Sequence, residues 1–148
     1  MKKIISLFIL LTILQSCNTY SDAEKNNFDT QIVQYLKAKN IRCDRSDSGL
    51  YYHIYDKGEG ENIQLTDSVA FTYKGTLLNG TVFDNQKKPV TFKVKDLIAG
   101  WKEIMLKLKT KSKVVLVMPP LLGYGTHDLE KIPPNSILVF QMEINCIK

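Results

Sequence analysis

Asp84 stands directly after Phe83, in a chain with few other groups arranged for chemistry. A carboxylate beside an apolar cluster needs a hydrogen-bond partner, because taking an unpaired polar group out of water costs free energy. Tyrosine hydroxyls can supply one. Tyr73 lies on a strand whose alternation turns it toward the helix of the main domain, and Phe140 on the last strand turns the same way. Trp101 falls on the inner stripe of that helix, and Tyr124 sits between two glycines, Gly123 and Gly125. Tyr73, Phe83, Asp84, Trp101, Tyr124 and Phe140 are therefore the candidate site. Core packing accounts for most aromatic side chains in most proteins; the carboxylate among these is what packing leaves unexplained. His53 reads as a strand-face residue and His127 as a surface-loop residue. Neither has a second His or Cys at ligand spacing, so no metal site is expected. No Ser/His/Asp set is present either. What remains is a cluster of aromatic side chains beside one carboxylate.

The elements that position these residues form an antiparallel α+β domain. Leu50 to Tyr55 reads as a strand. Ser68 to Leu78 alternates, with Val69, Phe71 and Tyr73 on one face, and Asn79-Gly80 marks a hairpin turn. The return strand begins at Val82-Phe83 and resumes from Pro89 to Val94, where the proline signals an edge strand or a bulge. Leu97, Ile98, Trp101, Met105 and Leu108 repeat at three and four, which predicts a short helix from Asp96 to Lys107. Lys113 to Met118 is a continuous apolar strand ended by Pro119-Pro120. Leu121 to Asn135 is a loop with a second proline pair, Pro133-Pro134. In the closing strand, Ile137 to Ile147, Leu138, Phe140, Met142 and Ile144 share one face, while Gln141, Glu143 and Asn145 take the other.

The front of the chain is an address. Lys2 and Lys3 precede an apolar run from Ile4 to Leu14. A membrane-spanning helix needs about 20 residues; this run has the length of a signal-peptide core. Leu14-Gln15-Ser16-Cys17 resembles the lipobox of bacterial lipoproteins, in which the cysteine becomes an acylated N-terminus. A plain signal peptide cut near Ser16 is the alternative, and the agreement of charge, apolar run and cysteine spacing favours the lipobox. Several acyl chains anchor durably where one is marginal. The chain thus divides into a signal peptide at 1–16, acylated Cys17 and tether at 17–21, a helix with linker at 22–48, and the main domain at 49–148.

Ser21 and Glu24 have capping-box spacing, which opens a helix from Asp22 to about Lys39, closed by Asn40. Its stripe of Phe28, Ile32 and Leu36, with Val33 and Tyr35 beside it, packs on the domain or meets a partner; packing is the preferred reading. An exported compartment permits a disulfide between Cys43 and Cys146, although two free thiols are favoured. The composition, 148 residues with 44% hydrophobic and 24% charged, excludes disordered and fibrous classes. Charge is 20 basic against 15 acidic, or 18 against 15 once Lys2 and Lys3 are removed with the signal. The lysines are scattered, so no nucleic-acid partner is expected.

The order of motifs resembles the FKBP-type peptidyl-prolyl cis–trans isomerases. The residues are Tyr73-Lys74-Gly75-Thr76-Leu77 with Asn79-Gly80, then Phe83-Asp84, then Ile98-Ala99-Gly100-Trp101. Pro119-Pro120, Leu122-Gly123-Tyr124-Gly125, Ile132-Pro133-Pro134-Asn135-Ser136 and Leu138-Val139-Phe140 follow. Each motif alone is weak; their order and spacing together are specific. The resemblance implies an FKBP-like antiparallel sheet of about five strands wrapped on one short helix, with an N-terminal helical extension. It implies a proline pocket floored by Trp101 and lined by Tyr73, Phe83, Ile98, Ile132 and Phe140, with Leu97 at its mouth. The Ile98 amide and the Tyr124 hydroxyl would hold substrate carbonyls, and Asp84 would orient Tyr73. Val90 takes a lining position where many members carry another aromatic. Ile104 stands where glycine is frequent, Leu121 replaces a frequent acidic residue, and His127 to Lys131 is more charged than is usual.

The implied activity is rotation about X–Pro bonds of exported proteins, with proline-containing polypeptide as substrate, no cofactor, and macrolide-type inhibitors as further ligands. The lipobox and helix resemble bacterial exported lipoprotein members, some associated with gliding machinery. This implies an envelope location, with Cys17 in the lipid bilayer, the outer membrane before the inner, and the domain in the periplasm or outside. Two other readings stand: a proline-segment-binding chaperone without catalysis, and a scaffold lipoprotein of a secretion or motility machine acting through the helix at 22–39.

Overall fold

The computed structural model describes residues 20–147; the signal segment and Cys17 lie outside the described residues. Helix α1, Asp22–Ala38, starts where the capping box places it. The Ser21 hydroxyl accepts from the Glu24 amide at 3.3 Å, and the Ser21 amide donates to the Glu24 carboxylate at 2.8 Å. At its other end Asn40 adopts φ 53°. The Ile41 amide reaches back to the Leu36 carbonyl and the Asn40 amide to that of Lys37, which satisfies the last carbonyls of the helix.

Six strands follow: β1 (Asp44–Arg45), β2 (Tyr51–Asp56), β3 (Ser68–Leu77), β4 (Val82–Lys93), β5 (Lys113–Met118) and β6 (Leu138–Ile147). They form one antiparallel sheet in the order β1-β2-β5-β6-β3-β4. The strand beyond the five expected is β1. It lies in the segment read as linker, and its two exposed residues are too few to carry a pattern.

The sheet has a core on each face. On one side Val114, Leu116 and Met118 of β5, with Leu138, Phe140, Met142 and Ile144 of β6, pack against helix α2, Ala99–Met105. On the other, Val115, Val117 and Val139 meet Phe28, Ile32 and Leu36 of α1. Burial on both faces is why β5 reads as an unbroken apolar run. The preferred packing role of the α1 stripe holds for its three central residues, whereas Val33 stays exposed.

Helix α2 is shorter than the Asp96-to-Lys107 span expected. Val94–Asp96 forms a separate 3-10 turn, and Leu97 and Ile98 are extended, with ψ 162° and 156°. Both still point into or against the core, so the apolar spacing continues across a break in the backbone. The β3–β4 hairpin turns at Gly80, φ 89°, as Asn79-Gly80 predicts. Pro89 lies on β4, an edge strand, beside an irregularity in register between Phe71 and Tyr73. Cys43 and Cys146 are free thiols, each half-buried.

Candidate active site

The site forms where β3, β4, β6, α2 and the loop before β6 converge. In an ideal strand consecutive side chains point to opposite faces. Phe83 and Asp84 escape that rule because the register of β4 on β3 slips between Gly75, which pairs Asp84, and Thr76, which pairs Val82. The extra residue, Phe83, is a β-bulge, and a bulge re-aims side chains. Both Phe83 and Asp84 then face one cavity of about 280 Å³.

Four rings give that cavity its shape. Trp101 meets Tyr73 and Phe140 edge-on, each at a centroid distance of 4.9 Å. Phe83 meets Phe140 edge-on at 5.5 Å. Edge-to-face packing aligns the positive edge of one ring with the negative face of the next. Gly75 makes room for this, because a Cβ there would stand 2.5 Å from the Phe83 ring and 2.9 Å from that of Phe140.

The polar part is small. The Tyr73 hydroxyl donates to Asp84 Oδ2 at 2.5 Å. Burial first, then the hydrogen bond and charge of Asp84, push the Tyr73 hydroxyl far above the usual tyrosine range. Tyr124 is raised as well, by burial and then by the Asp84 charge. Both hydroxyls are therefore held protonated as donors. Tyr73 spends its proton on Asp84, while Tyr124 makes no side-chain hydrogen bond among the described residues and is free to donate into the cavity. Helix α2 begins beside it, and the Ile98 amide at its N-cap also has no partner among the described residues.

Tyr73, Phe83, Asp84, Trp101, Tyr124, Ile132 and Phe140 thus come together as the sequence suggests. Three expected lining residues do not line this cavity. Val90 is half-buried opposite Phe71. Ile98 packs against the core from the start of α2. Leu97, expected at the mouth, is 8% exposed and packs with the core. In their place stand Leu129, Glu130 and Lys131, which sequence reasoning did not assign to the pocket. Leu129 and Ile132 exchange two backbone hydrogen bonds at 3.1 Å, so Glu130 and Lys131 form the tip of a small hairpin at the rim. Their signal was the charged stretch itself, whose folding back no pattern announces. His127 lies outside the cavity, with Nδ1 2.8 Å from the Tyr124 carbonyl oxygen.

A second, more polar groove of about 340 Å³ crosses the outer face of the sheet past Tyr55, Lys74, Lys113 and Glu143. It lacks the ring enclosure, so the aromatic cavity is the better candidate for an apolar group.

A sheet wrapped on one short helix, with a ringed pocket and one hydrogen-bonded carboxylate, defines a binding fold for a compact apolar group flanked by carbonyls. The chain belongs to the FKBP-type peptidyl-prolyl cis-trans isomerase family, whose profile matches residues 59–145. It is 40% identical over 126 residues to the FKBP-type peptidyl-prolyl cis-trans isomerase FkpA of Buchnera aphidicola from Acyrthosiphon pisum. That match covers 81% of this chain and 52% of the relative. The crystal structure of FkpA from Escherichia coli superposes with a TM-score of 0.74 at 35% identity, covering 85% of this chain and 61% of that one. The crystal structure of AtFKBP13 gives 0.64 at 32% identity, covering 70% and 96%. The chain spans about half the length of the curated relatives it matches.

Proposed function

We propose that the protein is a peptidyl-prolyl cis–trans isomerase acting on X–Pro bonds of exported polypeptides. The observation that carries this reading is the ringed cavity, with Tyr73 locked on Asp84 and the Tyr124 hydroxyl free. Rotation about the imide bond faces a barrier of about 20 kcal/mol, because the twisted amide loses its resonance. The twisted form is also less dipolar than the planar one. A dry wall of Tyr73, Phe83, Trp101 and Phe140 disfavours the planar dipole more than the twisted one, which is differential binding of the transition state. The proline ring sits over Trp101. Tyr124 and the Ile98 amide hold the flanking carbonyls, which fixes one side of the bond while the other turns. Asp84 is an acceptor for Tyr73 and takes no part as acid or base. Macrolide-type inhibitors belong in the same cavity.

NMR exchange on a short Xaa-Pro peptide, with protein lacking residues 1–17, tests the reading. Spontaneous interconversion takes tens to hundreds of seconds. Acceleration by orders of magnitude, lost in folded Asp84→Leu and Phe140→Ala variants, supports it. Peptide binding without acceleration assigns the pocket instead to a proline-segment-binding chaperone, which the charged rim of Glu130 and Lys131 favours.

The location belongs to the same proposal. Acylation of Cys17 holds the domain on an envelope membrane, the outer one before the inner, facing the periplasm or the outside. Support comes from the lipobox Leu14-Gln15-Ser16-Cys17 behind its charged and apolar run. Among the described residues no helix is long and apolar enough to cross a membrane.

A further inference from the structure

We propose that Tyr20 is a positioning residue that couples helix α1 to the pocket by fixing the base of the loop carrying Tyr124 and Ile132. The proposal rests on the isomerase reading for its kinetic readout, and on geometry for the rest. Tyr20 immediately precedes Ser21, the N-cap of α1. It is 3% exposed, and its ring meets Phe28 edge-on at 5.3 Å. Across 115 positions of sequence its hydroxyl donates to Asn135 Oδ1 at 2.8 Å. The Asn135 amide in turn donates to the Gly125 carbonyl at 2.8 Å. Gly125 follows Tyr124 directly. The path from the residue just before the cap of α1 to the residue bearing a pocket hydroxyl therefore runs through two hydrogen bonds and one peptide unit.

The loop needs such a closure. Between Pro119 and Asn135 it supplies Tyr124, Leu129, Glu130, Lys131 and Ile132 to the cavity. Among the described residues it pairs with no strand; its regular structure is a 3-10 turn at Pro120–Leu122 and the two bonds between Leu129 and Ile132. Asn135 also sits at φ 62°, the left-handed region that asparagine tolerates better than most residues. The Tyr20 hydroxyl holds the side chain of this residue, and the backbone of the same residue ties the loop shut. Helix α1 gives Tyr20 a firm footing, since Phe28, Ile32 and Leu36 fasten it to the outer face of the sheet.

Two variants isolate the strut. Tyr20→Phe keeps the buried ring and deletes only the hydroxyl. Asn135→Gly keeps the left-handed backbone and deletes the acceptor. Protein lacking residues 1–17 is compared for amide hydrogen exchange, and for KM and kcat on an Xaa-Pro peptide. The expected result for Tyr20→Phe is Asn135 exchange faster by about fivefold to tenfold, the loss of one net hydrogen bond. Ile32 and Val115 should keep their wild-type rates. KM should rise severalfold with kcat nearly unchanged, because Tyr124 is displaced rather than removed. The double variant should be no worse than Asn135→Gly alone. Unchanged Asn135 exchange in Tyr20→Phe overturns the proposal, as does faster exchange spread equally through α1 and the sheet. If the wild type catalyses nothing, the isomerase reading fails on its own, and local release of Asn135 still decides whether the strut exists.

Discussion

Asp84 shows how a charge is accommodated among rings. Its Oδ2 accepts a hydrogen bond from the Tyr73 hydroxyl at the exposed rim of the ring cluster, where the carboxylate keeps contact with water. Replacing it by leucine leaves the Tyr73 hydroxyl without its acceptor and fills the polar edge of the cavity. Catalysed exchange should fall by at least tenfold in Asp84→Leu, with circular dichroism and thermal unfolding showing a folded domain. Asp84→Asn, which keeps an acceptor oxygen, should lose less, and equal losses in the two variants would mean that shape rather than hydrogen bonding decides. Gly75 tests the rings from behind. A methyl there meets Phe83 and Phe140 too closely for either ring to stay in place. Overpacking of this kind costs about 1–3 kcal/mol, so Gly75→Ala should lower the urea midpoint. It should also abolish catalysed exchange, because the displaced rings occupy the space of the proline. Wild-type stability and rate in Gly75→Ala would show that the bulge at Phe83 yields easily.

Helix α1 is bound to the sheet by a core contact and by a charge. Asp29 Oδ1 accepts from Arg45 Nε and from the Tyr51 hydroxyl, both at 2.8 Å. Ile32 is fully buried beneath it. Truncation of a buried isoleucine costs about 2–5 kcal/mol, whereas removing Asp29 leaves two donors to water at a part-exposed site and costs about 1–3 kcal/mol at most. Urea unfolding of Ile32→Ala and Asp29→Ala should therefore rank them in that order, and the reverse order would place the helix under electrostatic rather than apolar control. The helix was readable in the sequence because its ends are chemical: Ser21 and Glu24 at one, Asn40 at the other. Strand β5 was readable because α1 and α2 bury both its faces. The span of α2 was not, since Leu97 and Ile98 keep helical spacing while their backbone is extended. Nor was the joint orientation of Phe83 and Asp84, which depends on a bulge that period-two reasoning reverses. Leu129 to Lys131 entered the pocket unannounced, because two hydrogen bonds between non-strand residues leave no periodic trace. The aromatic set itself was legible, since strand alternation and the helix stripe turn Tyr73, Phe140 and Trp101 to one side and Asp84 follows Phe83 directly.

Over the whole molecule the tyrosines act together. Tyr20, Tyr35, Tyr51, Tyr55, Tyr73 and Tyr124 are all raised above the ordinary tyrosine value, in each case chiefly by burial. Burial, then the neighbouring Asp44 charge, pushes the Cys43 thiol up to about 11. Each group holds its proton to a higher pH in the folded chain than in the unfolded one. Their contribution to stability is therefore complete below the unfolded values, near 9 for the thiol and 10 for the phenols, and is lost as pH rises through the folded values. Stability should be level from pH 7 to 8.5 as far as these groups are concerned, then fall above pH 9 and more steeply past 10. Trp101 is the single tryptophan and is buried, so its fluorescence reports urea unfolding directly. Tyr73→Phe should be less steep above pH 10 than the wild type, because it removes the phenol raised by burial and Asp84 together. A urea midpoint that rises between pH 9 and 11 would contradict the sign, and an identical slope in Tyr73→Phe would move the alkaline sensitivity away from the pocket. A slope that does depend on Tyr73 ties alkaline unfolding to the same hydroxyl that Asp84 holds in the site, since burial first and then Asp84 raise its proton affinity.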